Sequence, residues 1–226
     1  MFLEVTTDAA GVEHLADVLI GMAAHCAGTD GNTETDGCEA GSLPLGTPVE
    51  ITGAVQPGTL TYSSWLAMQN GGPTPPGACL GNDFALVSLH EDDWASINPS
   101  LPFWGGPVGV GDATDPGESN YSFGNSGLRL GIEALGPKQG VTVDMTNSDW
   151  THVAYAVSPG VPGDSGSGTL DSNGAAIGVT SVIYAAPYPA GNGLTDLGKA
   201  LAYANAHTGG DHRLVNGTEP FDPSLP

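Results

Sequence analysis

Gly163-Asp164-Ser165-Gly166-Ser167-Gly168-Thr169-Leu170 is the stretch on which the reading of this chain turns. One hydroxyl, Ser165, stands in a glycine-flanked turn with an acid directly before it, and a strand-like run from Ala175 to Ile183 follows. Small neighbours let a carbonyl group approach such a hydroxyl, and consecutive backbone N–H groups in the turn can converge on a developing oxyanion. The same four residues, Gly-Asp-Ser-Gly, also form inert turns, so they need a base and an orienting carboxylate elsewhere to mean more. A G-x-S-x-G elbow is excluded, because Ser167 stands where that pattern requires glycine.

Both partners are present. Met22-Ala23-Ala24-His25-Cys26 ends an apolar stretch, and Asn82-Asp83-Phe84-Ala85-Leu86-Val87 sets an acid at the head of a strand-like run. Histidine, aspartate and serine follow one another in an order distinct from that of subtilisin or the α/β-hydrolases. On these residues the sequence resembles the chymotrypsin-fold serine peptidases, of the trypsin-like kind secreted by Gram-positive, actinobacterial-type bacteria. Ala23-Ala24-His25-Cys26 is similar to that family's histidine motif, Asp83-Phe84-Ala85-Leu86 to its aspartate motif and Gly163-Asp164-Ser165-Gly166 to its serine motif. Outside the motifs and the final helix the likeness is general.

The resemblance implies an all-β fold of two packed antiparallel β-barrels closed by a C-terminal α-helix. Residues 1–97 would form the barrel that carries His25 and Asp83, and residues 98–226 the barrel that carries Ser165. It implies that Ser165 is the nucleophile, His25 its base and Asp83 the acceptor that fixes the histidine tautomer, with the N–H groups of Gly163 and Ser165 as the oxyanion hole. It places the floor of a substrate pocket around Ser158, Pro159 and Gly160, and a substrate-pairing strand at Ser181, Val182 and Ile183. Ile183 stands where members with deep pockets have glycine, so cleavage after small or medium apolar residues is expected. The activity implied is that of a serine endopeptidase acting on polypeptides, without a cofactor. The rival is an inactive binding protein that has kept the fold.

Composition agrees with a secreted, turn-rich β protein: 35 glycines and 18 prolines interrupt 226 residues. The net charge of -21 arises less from the 25 acids than from the scarcity of bases, of which there are only 4. No basic patch can be assembled to neutralise phosphates, which argues against nucleic acid as a partner. No run reaches the ~20 apolar residues of a membrane span, and the expected state is a soluble extracellular monomer. Glu91-Asp92-Asp93 and Asp112-Ala113-Thr114-Asp115 lack EF-hand spacing and read as solvated turns; the cysteines and histidines have no zinc spacing, so no metal site is expected. His14, His90, His152, His207 and His212 read as surface or core residues, and Asn120-Tyr121-Ser122 and Asn216-Gly217-Thr218 as glycosylation acceptors meaningful only in a eukaryotic host.

Met1-Phe2-Leu3-Glu4-Val5 reads as a strand with no signal-peptide character. The expectation is a chain that begins inside a longer protein, whose export signal and first barrel strand lie upstream; the alternative is a natural short form with a frayed first barrel. Three cysteines leave one over. In the resembled family the cysteine after the histidine bonds to one upstream, which this chain lacks, so Cys26 is left alone and Cys38 is expected to pair with Cys79. A Cys26–Cys38 bond stays open on sequence alone.

Strands are expected at Val49–Ile51, Thr59–Tyr62, Phe84–Leu89, Val108–Val110, Ser126–Ile132, Val141–Met145, Thr151–Val157, Gly168–Leu170 and Ala175–Ile183. Residues 27–48 read as a Gly/Thr/Asp-rich loop and Asn98–Pro107 as the connection between halves. Thr195–His207 is the one convincing helix, with Leu197, Leu201 and Ala204 on one face and Gly209-Gly210 as its stop.

Overall fold

The computed structural model describes residues 1–30, 35–112 and 114–224. Residues 31–34 of the long loop and Ala113 of the acidic turn lie outside the described residues. In chain order the strands are β1 (Phe2–Thr7), β2 (Glu13–Met22), β3 (Pro48–Val49), β4 (Gly58–Ser63), β5 (Ala85–Ser88), β6 (Ser119–Phe123), β7 (Pro137–Thr146), β8 (Thr151–Ala156), β9 (Gly168–Asp171), β10 (Ala176–Ile183), β11 (Asn192–Asp196) and β12 (Asp211–Leu214). The helices are α1 (Ser64–Gln69), α2 (Ala78–Gly81) and α3 (Leu197–Thr208).

These strands form two antiparallel units. The first is a six-stranded sheet in the order β12-β1-β2-β5-β4-β3, and the second is a closed six-stranded barrel, β10-β11-β8-β7-β6-β9. The last strand returns to the first unit, pairing Asp211–Leu214 with Phe2–Val5. It therefore crosses the division expected at residues 97 and 98.

Side-chain pattern explains the layout. β2 is exposed along its polar first half and buried at Val18 and Leu19, where it meets β5, whose Ala85, Leu86 and Val87 are fully buried. Phe84 fills the centre of this unit, edge-on to Phe2 at 5.7 Å and tilted against Tyr62 at 6.5 Å. Burial of such a ring stabilises the fold by about 1.5–3 kcal/mol. Gly21 is the matching small residue in β2, since a Cβ there would come within 2.7 Å of the Phe2 ring and 2.9 Å of Phe84. In the second unit, β10 reads as a near-continuous apolar run because both its faces are covered.

α3 starts where Asp196 caps it, its Oδ1 accepting the Lys199 N–H at 2.8 Å, and ends at Gly209 in the left-handed region. Leu197, Ala200, Leu201 and Ala204 are its buried face. The same Asp196 accepts from Nε2 of the fully buried His152 at 2.9 Å, whose Nδ1 lies 3.1 Å from Thr114 Oγ1. His152 is thus a satisfied core histidine.

All four basic side chains are engaged. Arg213 clamps Glu13 and Asp211, Lys199 donates to the Ser148 carbonyl at 3.0 Å and lies over the Trp150 ring, and Arg129 and Lys138 both reach Asp164.

Two expectations need correction. Ser126–Ile132 is not a strand but a loop containing a 3₁₀ turn at Gly127–Arg129, with Leu130 at φ +54°. Ser126 bends it: its hydroxyl accepts the Leu128 N–H at 3.1 Å while its own amide donates to Asp164. Val108–Val110 contributes only an isolated bridge, Val110 to Ala176. Conversely β2, read from sequence only as an apolar stretch, and β6, β11 and β12 are strands that the sequence does not announce. β6 is built around Tyr121, packed edge-on between Trp104 and Phe221.

Candidate active site

The pairing of β2 with β5 sets Met22 opposite Ala85, so the 3₁₀ turn that follows β2 and the segment that enters β5 lie side by side. That juxtaposition delivers His25 to Asp83. The His25 backbone N–H donates to Asp83 Oδ1 at 2.8 Å, and its ring Nδ1 lies 2.6 Å from Oδ2. A carboxylate only accepts, so Nδ1 carries the proton and Nε2 is left as an acceptor. Ser165 Oγ is 2.7 Å from that Nε2. Ser181, the bulged residue between Thr180 and Val182 in β10, donates its hydroxyl to Asp83 Oδ2 at 2.5 Å. Asp83 is nearly buried, and only a small part of the His25 side chain is open.

Burial of the His25 ring works against its protonation, but the hydrogen bond to Asp83 and the charge of that carboxylate outweigh it, so its pKa stands above the usual histidine value of 6.5.

The turn bearing Ser165 is shaped by its glycines. Gly163 and Gly166 adopt φ of +94° and +84°, a region that disfavours a Cβ. At Gly166 a Cβ would also stand 3.0 Å from the Ala23 amide nitrogen, so the first unit approaches here too closely for a side chain. The Gly166 N–H donates to the Thr180 carbonyl at 2.7 Å and ties the turn to β10. Among the described residues, the N–H groups of Gly163 and Ser165 meet no protein acceptor.

Sequence reasoning treated Asp164 only as the acid before the serine and left Arg129 and Lys138 unassigned. In the structure the buried Asp164 carboxylate accepts from the amides of Ser126 and Val161, both at 3.0 Å, from the Arg129 guanidinium, and from Lys138 Nζ at 3.2 Å. Burial opposes its ionisation; the Val161 amide and the two cations prevail and hold its pKa below the usual carboxylate range. Gly124 makes room for the cluster, since a Cβ there would overlap Lys138 Nζ. With only 4 bases in the chain, the nearness of two of them, Arg129 and Lys138, to one another in sequence is a usable signal.

A cavity of about 630 Å³ opens beside Ser165, lined by His25, Asp83, Val161, Pro162, Gly163, Thr180, Ser181, Val182 and Ile183. Of the expected pocket residues, Ser181, Val182 and Ile183 are thus brought to the site. Ser158 and Pro159 are not among its lining residues; Ser158 Oγ instead donates to the Leu135 carbonyl at 3.5 Å. Behind the pocket wall the buried Asn192 accepts the Gly160 N–H at 2.8 Å, a role the sequence did not announce. A second cavity of about 450 Å³ shares Val182 and Ile183 and continues along Leu80, Tyr184, Pro187 and Tyr188. Cys38 and Cys79 form a disulfide, which joins the loop after His25 to α2, just ahead of Asp83. Cys26 is free at the cavity mouth, its thiol pushed up to about 11 by desolvation and by the Asp83 charge.

This architecture is the chymotrypsin-type fold of the bacterial serine proteases. No protein-family model and no curated protein sequence matches the chain. Among solved structures, Thermobifida fusca Protease A is similar to it over 95% of this chain and 96% of its own, at 16% identity and a TM-score of 0.51. A Glu endopeptidase in complex with MPD is similar over 92% of this chain and 90% of its own, at 14% identity and a TM-score of 0.50.

Proposed function

We propose that the chain is a serine endopeptidase, secreted and acting as a monomer on polypeptides. What carries this reading is the unbroken line of short contacts from Ser165 Oγ through His25 to Asp83, steadied by Ser181. In the proposed reaction Ser165 Oγ attacks the scissile carbonyl carbon as its proton passes to His25 Nε2. Asp83 balances the imidazolium, and the N–H groups of Gly163 and Ser165 hold the oxyanion. Each such donor is worth about 2.7–4 kcal/mol in the transition state. Collapse breaks the C–N bond, with the proton passing from His25 to the departing amine. Water, deprotonated by His25, then hydrolyses the acyl-Ser165 ester.

Among the described residues the pocket beside Ser165 is lined by no charged group apart from His25 and Asp83, which supports cleavage after small or medium apolar residues. Val182 and Ile183 of β10 pair with β11, and among the described residues no strand pairs with their other edge, which leaves it for an extended substrate. The cavity at Leu80, Tyr184 and Tyr188 then receives apolar side chains on the acyl side. With every cation already engaged, nucleic acid is a poor partner. The second reading is a binding protein that has kept the fold and lost the activity, and the intact contacts among Ser165, His25 and Asp83 argue against it.

A fluorophosphonate probe separates the two. The expected result is labelling of wild type at Ser165 with hydrolysis of ester and peptide substrates, and loss of both in a folded Ser165→Ala variant. Unlabelled, inactive wild type would establish the binding protein instead.

A further inference from the structure

Asp83 belongs to the first unit, yet two strands of the second barrel reach it. Ser181 of β10 meets its carboxylate. Thr195 of β11, which pairs with Val179 two residues before Ser181, meets its backbone: the Asp83 N–H donates to Thr195 Oγ1 at 3.3 Å. Thr195 is 1% exposed and Asp83 5%, so water has little access to that amide and its partner must come from the protein.

The backbone groups on either side are served from within the first unit. The buried Ser64, first residue of α1, donates its hydroxyl to the Asn82 carbonyl at 2.7 Å, accepts the Phe84 N–H at 3.1 Å and gives its own N–H to the Phe84 carbonyl at 2.9 Å. The Asn82 N–H is taken by the Ala78 carbonyl. The amide of the acid itself is what this frame leaves for the second barrel, and among the described residues Thr195 is its acceptor. Thr195 stands on firm support. It pairs with Val179 on one side and Thr151 on the other, and the adjoining Asp196 is fixed both by the cap of α3 and by His152.

We propose that Thr195 is a positioning residue for the reaction: its hydroxyl holds the Asp83 peptide so that Oδ2 stays on His25 Nδ1 and Oδ1 on the His25 N–H. This rests on the peptidase reading and adds to it a residue that acts across the junction of the two units without touching substrate. Without the hydroxyl a desolvated N–H has no acceptor, and the Asp83 peptide must shift to find one.

Thr195→Val keeps the side chain's shape and removes the acceptor. On a peptide anilide kcat should fall about 10- to 100-fold, the scale of a small misplacement of a catalytic group, with KM unchanged, and Thr195→Ser should restore most of it. Asp83 is what raises the His25 pKa, so the His25 ring titration followed by NMR should move down toward 6.5 in the valine variant. Thr142→Val removes another fully buried hydroxyl of the same barrel, one that accepts from Thr114 and Asn120; it should lower the denaturation midpoint but leave kcat and the titration alone. In an Asp83→Ala background Thr195→Val should change kcat no further, because Thr195 acts through the carboxylate. Where valine does not fold, Thr195→Ala carries the same comparison. An unchanged kcat or an unmoved titration in the folded variant, an equal fall in Thr142→Val, or a further fall on top of Asp83→Ala overturns the proposal. Wild type that hydrolyses nothing defeats the peptidase reading instead, and the His25 titration then decides by itself whether Thr195 positions Asp83.

Discussion

Replacing Arg129 by methionine removes one of two cations from a carboxylate that is 1% exposed, while keeping most of the side chain's volume. Breaking a buried ion pair from one side costs about 3–5 kcal/mol, because the remaining charge stays desolvated. Lys138 Nζ at 3.2 Å and the amides of Ser126 and Val161 still serve Asp164, so the lower end, about 3 kcal/mol, is expected. At a urea slope of about 3 kcal/mol/M, the unfolding midpoint falls by about 1 M. The pH dependence has a definite sign. Asp164 titrates below its unfolded value, so its contribution is present above that value and is lost as pH falls through the folded pKa. With Arg129 gone the folded pKa rises, and acid unfolding begins at higher pH. Ester turnover should also fall, since Asp164 lies between Gly163 and Ser165, whose N–H groups are assigned to the oxyanion. Arg213→Met, which disrupts an exposed clamp, should leave the midpoint where it is. Equal midpoints and equal acid limbs for Arg129→Met and wild type would refute the reasoning.

Two further outcomes are expected. Turnover should rise with pH as His25 becomes neutral, with a midpoint above 6.5 because Asp83 raises the imidazole pKa; Asp83→Asn should reduce kcat by orders of magnitude through the wrong tautomer, and a pH–rate profile with no such limb would count against His25 as base. Reduction of Cys38–Cys79 opens a loop of 41 residues' separation and should cost about 4 kcal/mol on the chain-entropy model, read as a lowered denaturation midpoint in reductant; an unchanged midpoint would mean that the unfolded chain gains no freedom there.

The candidate site was legible because its chemistry is local. A histidine, an acid and a glycine-flanked serine announce themselves within a few residues each, and the ladder between β2 and β5 does the rest. The support around them was not legible in the same way. Asp164 draws Arg129 from 35 residues upstream, and no local pattern records that contact. Leu128, Leu130 and Ile132 alternate with period two and so imitate a strand, but Ser126 and the inward Arg129 bend the backbone and leave all three outside. β12 escaped notice for another reason: Asp211-His212-Arg213-Leu214 is polar, and it becomes a strand only because β1, at the other end of the chain, offers an edge.

The engagement of all four cations bears on how long this molecule lasts in the presence of proteases. A trypsin-type enzyme can cut only after Lys or Arg, and this chain offers Arg129, Lys138, Lys199 and Arg213. Two of these side chains are locked on a buried carboxylate, one lies against an indole ring and one is held between two acids. To bind such a side chain in its pocket, an attacking enzyme must first break the contact that holds it. The native molecule is therefore a poor prey for enzymes of basic specificity.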